Sequence, residues 1–422
     1  MKYLCIICFS FFCFSPKAQK IYTDSIYVSS IKTVQLYQQN NQQSLPIIKT
    51  NNTGFLELHF DDMDAYVKNY FYTYQLCNEN WEEVNLSPFD YIKGFTQNRL
   101  TQYRVSSITQ TPYVHYQAIL PERGSVPTRT GNYILKVFAN GDVNNIVFTK
   151  RMFVTDNTAI IGVQVLQPFD SKKFLTHQRV QVSVNVAQLN PINPQQQVKV
   201  VILQNNRWDN AVRNIMPAFI RGNILEYNGE QDCLFPAGKE YRWADLRSFR
   251  LESERVAKIE KNEFPNIITL KPDVQRNKLR YTFFRDLNGW YDISSLENIN
   301  PFWQADYGYV KFTFVPNKDE DFTNKDVYLS GNLTNNVVAD TSKMEYIESD
   351  GVFEKTLFLK MGFYSYIYLT KDKNSKQNIG DVSLTEGNFW ETENEYTVFV
   401  YYRSLQGRHD ELVGVATINS RR

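Results

Sequence analysis

Tyr70-Phe71-Tyr72-Thr73-Tyr74-Gln75-Leu76 sets Tyr70, Tyr72, Tyr74 and Leu76 on one side of an extended chain. Alternation at period two, rich in aromatic and β-branched residues, predicts a half-buried strand. Tyr364-Ser365-Tyr366-Ile367-Tyr368 repeats the pattern near the other end of the sequence. Such runs absorb most of the 27 Tyr and 29 Phe, whereas histidine occurs only four times. The chain therefore reads as binding surface before it reads as catalyst.

Working outward from Tyr70, strand signals run through Thr33–Tyr37, Phe55–Phe60, Leu100–Ile108, Tyr113–Leu120, Tyr133–Phe138 and Ile146–Val154. Turn residues separate them, as at Pro121-Glu122-Arg123-Gly124 and Asn140-Gly141-Asp142. Short strands at this spacing predict a sandwich of immunoglobulin type. Within it, Tyr133, Leu135 and Val137 share one face and predict a central strand.

A second series follows: Ile160–Leu166, Val180–Val186, Val198–Leu203, Ile267–Leu270 and Arg280–Arg285. The Gly- and Pro-bearing stretch 207–240 reads as loops with a short helix around Asp209–Ile215. A third series comprises Gly308–Val315, Val327–Gly331, Val352–Leu359, Tyr364–Leu369 and Tyr396–Arg403. No long apolar repeat of helical period occurs. The expectation is an all-β chain of three tandem immunoglobulin-like or early-set sandwiches, at residues 19–156, 157–295 and 296–422.

Residues 1–18 read as an export signal. Lys2 precedes the apolar run Leu4–Phe14, too short to span a bilayer, and Ala18 offers a small residue for cleavage before Gln19. The expected product is a soluble exported protein with no membrane span of its own. Charge is balanced, at 46 Lys+Arg against 45 Asp+Glu, so no global field draws the chain to nucleic acid. Cys5, Cys8 and Cys13 leave with the leader; Cys77 and Cys233 are expected unpaired, or else bridged between modules.

The usual chemistry is missing. His59, His115, His177 and His409 lack ligand spacing and read as hydrogen-bonded or surface residues. Asp61-Asp62-Met63-Asp64 and Asp319-Glu320-Asp321 lack the glycine and closing glutamate of a calcium loop and read as solvated turns. There is no phosphate loop and no nucleophile elbow, so neither catalytic residues, a metal nor a cofactor is expected. Two stretches stand out as candidate partner-binding sites. In Gln204–Ala211, Arg207, Trp208 and Asp209 form an interface hot spot, or Trp208 packs beneath the next loop while Arg207 and Asp209 close the turn. In Glu386–Tyr396, Phe389 and Trp390 sit in an acidic aromatic loop that reads as a docking surface or a lid. The stretch Tyr241–Arg250 alternates apolar and charged residues as an edge strand does.

Several short motifs carry a resemblance: Cys77-Asn78-Glu79-Asn80-Trp81, Asp90-Tyr91-Ile92-Lys93-Gly94-Phe95, Tyr113-Val114-His115-Tyr116, Gly131–Val137, Gln204–Ala211, Ala237–Arg242, Ala305-Asp306-Tyr307 and Glu386–Tyr396. In their order and spacing the chain resembles the plug proteins of the type IX secretion system of Bacteroidota, along essentially its whole mature length. The resemblance implies a non-enzymatic periplasmic protein docked beneath a giant outer-membrane translocon barrel of the SprA/Sov type. There it occludes the periplasmic opening while another protein holds the lateral exit. Residues 327–333, Asp350-Gly351-Val352-Phe353 and Gly362–Tyr366 also make the third module resemble a glycogen-binding, CBM48-like domain. Sugar-binding members carry a stacking Trp where this chain has Asn335-Asn336-Val337-Val338. The alternative function is accordingly a periplasmic or surface glycan-binding sandwich.

Overall fold

The computed structural model describes residues 21–50, 54–261 and 264–421. The expected leader, 1–18, lies outside them. Sheet dominates, and α-helix among the described residues is confined to single turns at Pro194–Gln197 and Pro301–Gln304. The all-β expectation holds.

The first module is the sandwich read from its aromatic runs. One sheet orders Ser25–Ile26, Ile146–Thr155, Gly131–Ala139, Tyr70–Cys77 and Asn98–Arg99, with Ile47–Lys49 parallel to Ile146–Thr155. The facing sheet orders Ile31–Gln38, Leu56–Asp62, Val114–Leu120 and Gln102–Val105. Tyr72, Tyr74, Tyr133, Leu135 and Val137 point into the core between them with Leu58, Phe60 and Tyr116. Register explains the match: Leu135 sits opposite Tyr74 and Val137 opposite Tyr72, so the apolar positions of neighbouring strands fall on one face.

The other two modules share the rest of the chain differently from the expectation. Val198–Gln204 pairs with Glu395–Tyr402, which pairs in turn with Glu411–Asn419. Together with Arg207–Val212 they face the sheet built around His177–Asn185, whose neighbours are Ile160–Leu166 and Ile224–Tyr227. The strand expected at Tyr396–Arg403 in the C-terminal module thus closes the middle one. Conversely, Asn266–Leu270 runs parallel to Tyr307–Val315, and Arg242–Asp245 pairs with Phe363–Asp372. Both belong to the third sandwich, which is inserted between two halves of the second.

Local expectations fail in two places. The helix around Asp209–Ile215 is absent; Arg207–Val212 is a strand held by Val198–Gln204. Arg280–Arg285 carries strand-forming residues but pairs with no strand among the described residues and belongs to no element.

Two seams tie the modules together. At the first, outward faces of two sheets meet: Cys77, Trp81, Ile134 and Phe153 pack on Val201, Leu203, Phe399, Tyr401 and Leu412. Strands here are apolar on both faces, because each contributes one face to its own core and the other to the seam. Val198, Val200 and Ile202 line the middle module's core while Val201 and Leu203 line the seam. At the second seam the first module meets the third through polar contacts, described below.

Candidate functional site

The sequence-selected residues fall in two separate places. Arg207 is buried; its Nη2 donates to Asp209 Oδ2 at 2.6 Å and to the Gly380 carbonyl at 2.8 Å. Asp209 also accepts from the Gly380 main-chain N–H at 2.9 Å. This pair clasps the third module where its chain returns to the second. Trp208 is half-buried at the apolar seam, edge-on to Trp81 with ring centres 5.2 Å apart and near Phe153 and Phe399. The Arg151 guanidinium lies 4.7 Å from the ring centres of both Trp81 and Trp208, a cation held between two π-faces. Arg207, Trp208 and Asp209 therefore engage the protein's own modules.

Phe389 and Trp390 lie where the chain crosses between the second and third modules, and the crossing is held by charge. Arg242 donates to Glu386 at 3.0 Å and to Asp273 at 3.0 Å, and Arg276 also pairs with Glu386. Tyr366 and Tyr368 donate to Asp273 Oδ2 at 2.8 Å. Burial alone would raise the Glu386 pKa, but Arg242 and Arg276 outweigh it and hold the carboxyl down at about 2. This network fixes the base of the loop whose tip carries the two aromatics.

At that tip the Phe389 ring stacks on Tyr281 at 4.2 Å. Arg421 Nη2 donates to the Tyr281 hydroxyl at 3.1 Å, Arg421 Nε donates to the Glu391 carbonyl at 3.0 Å, and its guanidinium lies 3.9 Å above Phe283. The Trp390 main-chain N–H donates to the Leu175 carbonyl at 3.0 Å. A depression of about 180 Å³ opens here, lined by Gln178, Trp390, Glu391, Thr392, Ser420 and Arg421. It is smaller than typical small-molecule sites, which run from roughly 300 to 1,000 Å³. An aromatic ridge beside a guanidinium suits a protein contact, where Trp, Tyr and Arg carry most binding energy. Phe389 and Trp390 thus share this ridge with Tyr281, Phe283 and Arg421, none of which carries a binding motif in the sequence. The strand-like composition of Arg280–Arg285 is the one signal in the sequence for the first two, and the segment forms no strand.

The polar seam between the first and third modules holds a set of titratable groups that no motif signalled. Asp61, expected in a solvated turn, is 1% exposed. It accepts from Lys360 Nζ at 2.7 Å and from the Tyr307 hydroxyl, and contacts His115 Nδ1 at 2.6 Å. His115 Nε2 meets His59 Nδ1 at 3.1 Å, and Phe302 stacks on the His59 ring at 4.1 Å. Asp62 is buried too, paired with Lys68 at 2.9 Å, whereas Asp319–Asp321 are at the surface with Lys278 as expected. Burial, with Lys360 and His59 nearby, pushes His115 down to about 4 against the pull of Asp61, so the imidazole is neutral at pH 7. Burial also lowers Lys360, while Lys360 and His115 hold Asp61 below the usual carboxylate range despite its burial. These are the side-chain types of acid–base catalysis. A general base, however, must reach the proton it takes, and Asp61, His115, Tyr307 and Lys360 are each about 1% exposed. They act as a bolt between modules.

Cys77 and Cys233 are both free and buried, and burial raises their thiols to about 12 and about 11. Among the described residues no cluster of three or more His, Cys, Asp or Glu is arranged to hold a metal ion. No helix among them is long and apolar enough to cross a membrane.

Comparison with known proteins gives a family model and similar solved structures. Residues 31–156 match a family model described as the type 9 secretion system plug protein 1st domain. The whole fold is similar to a crystal structure of a hypothetical protein from Parabacteroides merdae ATCC 43184, with a TM-score of 0.90 and 31% sequence identity. That match covers 95% of this chain and 100% of the other. No curated protein matches the sequence.

Proposed function

We propose that this chain, which belongs to the type IX secretion system plug protein family, is a non-enzymatic periplasmic stopper. In this reading it binds the periplasmic opening of the large outer-membrane translocon barrel and seals it against leakage. A wide water-filled lumen passes solutes freely unless one end is closed. The observation that carries the reading, beside the family match, is the way the three sandwiches are joined. Domains within a chain ordinarily move against one another unless their interface is large and well packed. Here an apolar seam, a buried Asp61–Lys360 bolt and the Glu386–Arg242 network join them into a body suited to blocking an opening.

The glycan-binding alternative has less support. Asn335, in the stretch where sugar-binding relatives carry their Trp, accepts a hydrogen bond from Lys150 of the first module at 3.3 Å. The stretch is thus in contact with a neighbouring module and carries no aromatic ring to stack on a sugar.

Co-purification from detergent-solubilised outer membrane tests the reading. A stoichiometric complex with the translocon barrel is the expected result. Removing the protein in a strain that also lacks the lateral-exit partner should admit large antibiotics. Unchanged permeability in that background, or affinity for immobilised polysaccharide without the barrel, overturns the proposal.

A further inference from the structure

Arg280-Tyr281-Thr282-Phe283-Phe284-Arg285 has the composition of a strand and no strand beside it. Among the described residues none of its main-chain N–H or C=O groups makes a main-chain hydrogen bond. Side chains hold it in place instead. Tyr281 stacks on Phe389 at 4.2 Å, Phe284 meets Trp243 edge-on at 5.1 Å, and Phe283 lies under Arg421. Arg280, Thr282, Phe283 and Arg285 face outward. An unpaired main-chain row on such a segment is a template for another strand, and proteins usually cover, bulge or shorten such rows. Among the described residues nothing covers this one.

Charge narrows what can fill it. Among the described residues Arg280 and Arg285 form no ion pair, and the Arg421 guanidinium hydrogen-bonds to a carbonyl and a hydroxyl. The other carboxylates here are already engaged by this chain: buried Glu240 accepts from the Tyr281 hydroxyl, Asp286 from the Tyr241 main-chain N–H and Glu393 from Asn419, which leaves Glu391 as the exposed one beside Arg421. Among the exposed groups the three guanidiniums outnumber that carboxylate, which calls for an acidic neighbour. We propose that the Arg280–Arg285 main chain is an open strand position, filled by an acidic extended segment of a partner protein through β-augmentation. Main-chain hydrogen bonds supply the affinity. Arg280, Arg285 and Arg421 select acidic side chains, and Phe283 offers an apolar contact. The binding mode stands by itself; only the partner's address, the periplasmic side of the translocon, rests on the plug reading.

Two probes test it on the full-length mature protein. The first is an eight-residue peptide alternating Glu and Thr, compared with its Lys and Thr counterpart. The acidic peptide is expected to bind at least tenfold more tightly and to protect the amides of residues 280–285 from hydrogen exchange. Thr282→Pro removes one N–H from the row, and Arg280→Glu with Arg285→Glu reverses the charge. Each is expected to weaken acidic-peptide binding at least tenfold with no change in Tm. Equal affinity for both peptides, indifference to both variants, or slow exchange of these amides in the protein alone overturns the proposal. The last result means that the row is already occupied, by this chain or by a second copy. The second probe is the purified translocon barrel in detergent. Peptide binding without barrel binding leaves the strand position standing and removes the plug reading. Barrel binding that ignores both variants, with no peptide binding, does the reverse. Failure of both probes overturns both.

Discussion

Replacing Lys360 with methionine keeps most of the aliphatic volume and removes the cation that balances Asp61. The two groups are 2.7 Å apart, each 1% exposed, at the seam between the first and third modules. Stranding one partner of a buried pair costs about 3–5 kcal/mol, because the remaining charge stays out of water without its counterion. Asp61 keeps the Tyr307 hydroxyl and the His115 ring. His115 also loses the repulsion of Lys360 and takes up a proton more readily. The cost at pH 7.5 is therefore expected near the lower end, about 3 kcal/mol. Adding Asp61→Asn removes the stranded charge, so the double variant should be about 1–2 kcal/mol more stable than the sum of the single losses. Equilibrium urea denaturation followed by tryptophan fluorescence reads the change. Trp303 reports from the seam itself, where its carbonyl accepts from Ser107 and Arg104 covers its ring. With more than one module present, the first transition is the quantity to compare. A loss below about 1 kcal/mol, or single losses that simply add, refutes the idea that this pair bolts the modules together.

Other expectations follow from the same packing. Burial lowers His115 from the ordinary histidine value of 6.5 to about 4 in the folded protein, so between those values the unfolded chain binds more protons. Stability should then fall by about 2–3 kcal/mol from pH 7 to pH 4.5. Asp286, which burial raises to about 7, acts with the opposite sign, so the comparison is between wild type and His115→Asn. Parallel profiles for the two proteins would sink the assignment. Trp208→Ala should cost about 2–4 kcal/mol through loss of the apolar seam, read by thermal unfolding. An unchanged Tm would place Trp208 outside the packing. Gly387 has φ +80°, and an added Cβ would lie 2.8 Å from Asn277 Cα, so Gly387→Ala should lose about 1–3 kcal/mol in the same assay. Cys77 and Cys233 should resist a thiol reagent at pH 8 in the folded protein and react together on unfolding. Rapid labelling of either in the native state would contradict their burial.

What sequence alone determined was the local geometry. Tyr70–Cys77, Gly131–Ala139 and Ile160–Leu166 are strands because alternation fixes which face a side chain takes, and that information is entirely local. The aromatic runs similarly foretold the core of the first sandwich, whose strands neighbour one another with short turns. Only the tertiary structure decided which strand completes which sheet. Glu395–Tyr402 alternates as well in the third module as in the second, and it joins Val198–Gln204 because both strands are apolar on both faces, one for the core and one for the seam. A doubly buried strand carries no mark of its partner. The Asp61–His115–Lys360 bolt was hidden for the same reason: His115 lies 54 positions from Asp61 and Lys360 lies 299 from it, and each looks ordinary until burial removes the water around it. Arg280–Arg285 shows the converse. Its composition was legible as a strand, but pairing belongs to two chains' worth of hydrogen bonds, and this chain supplies one.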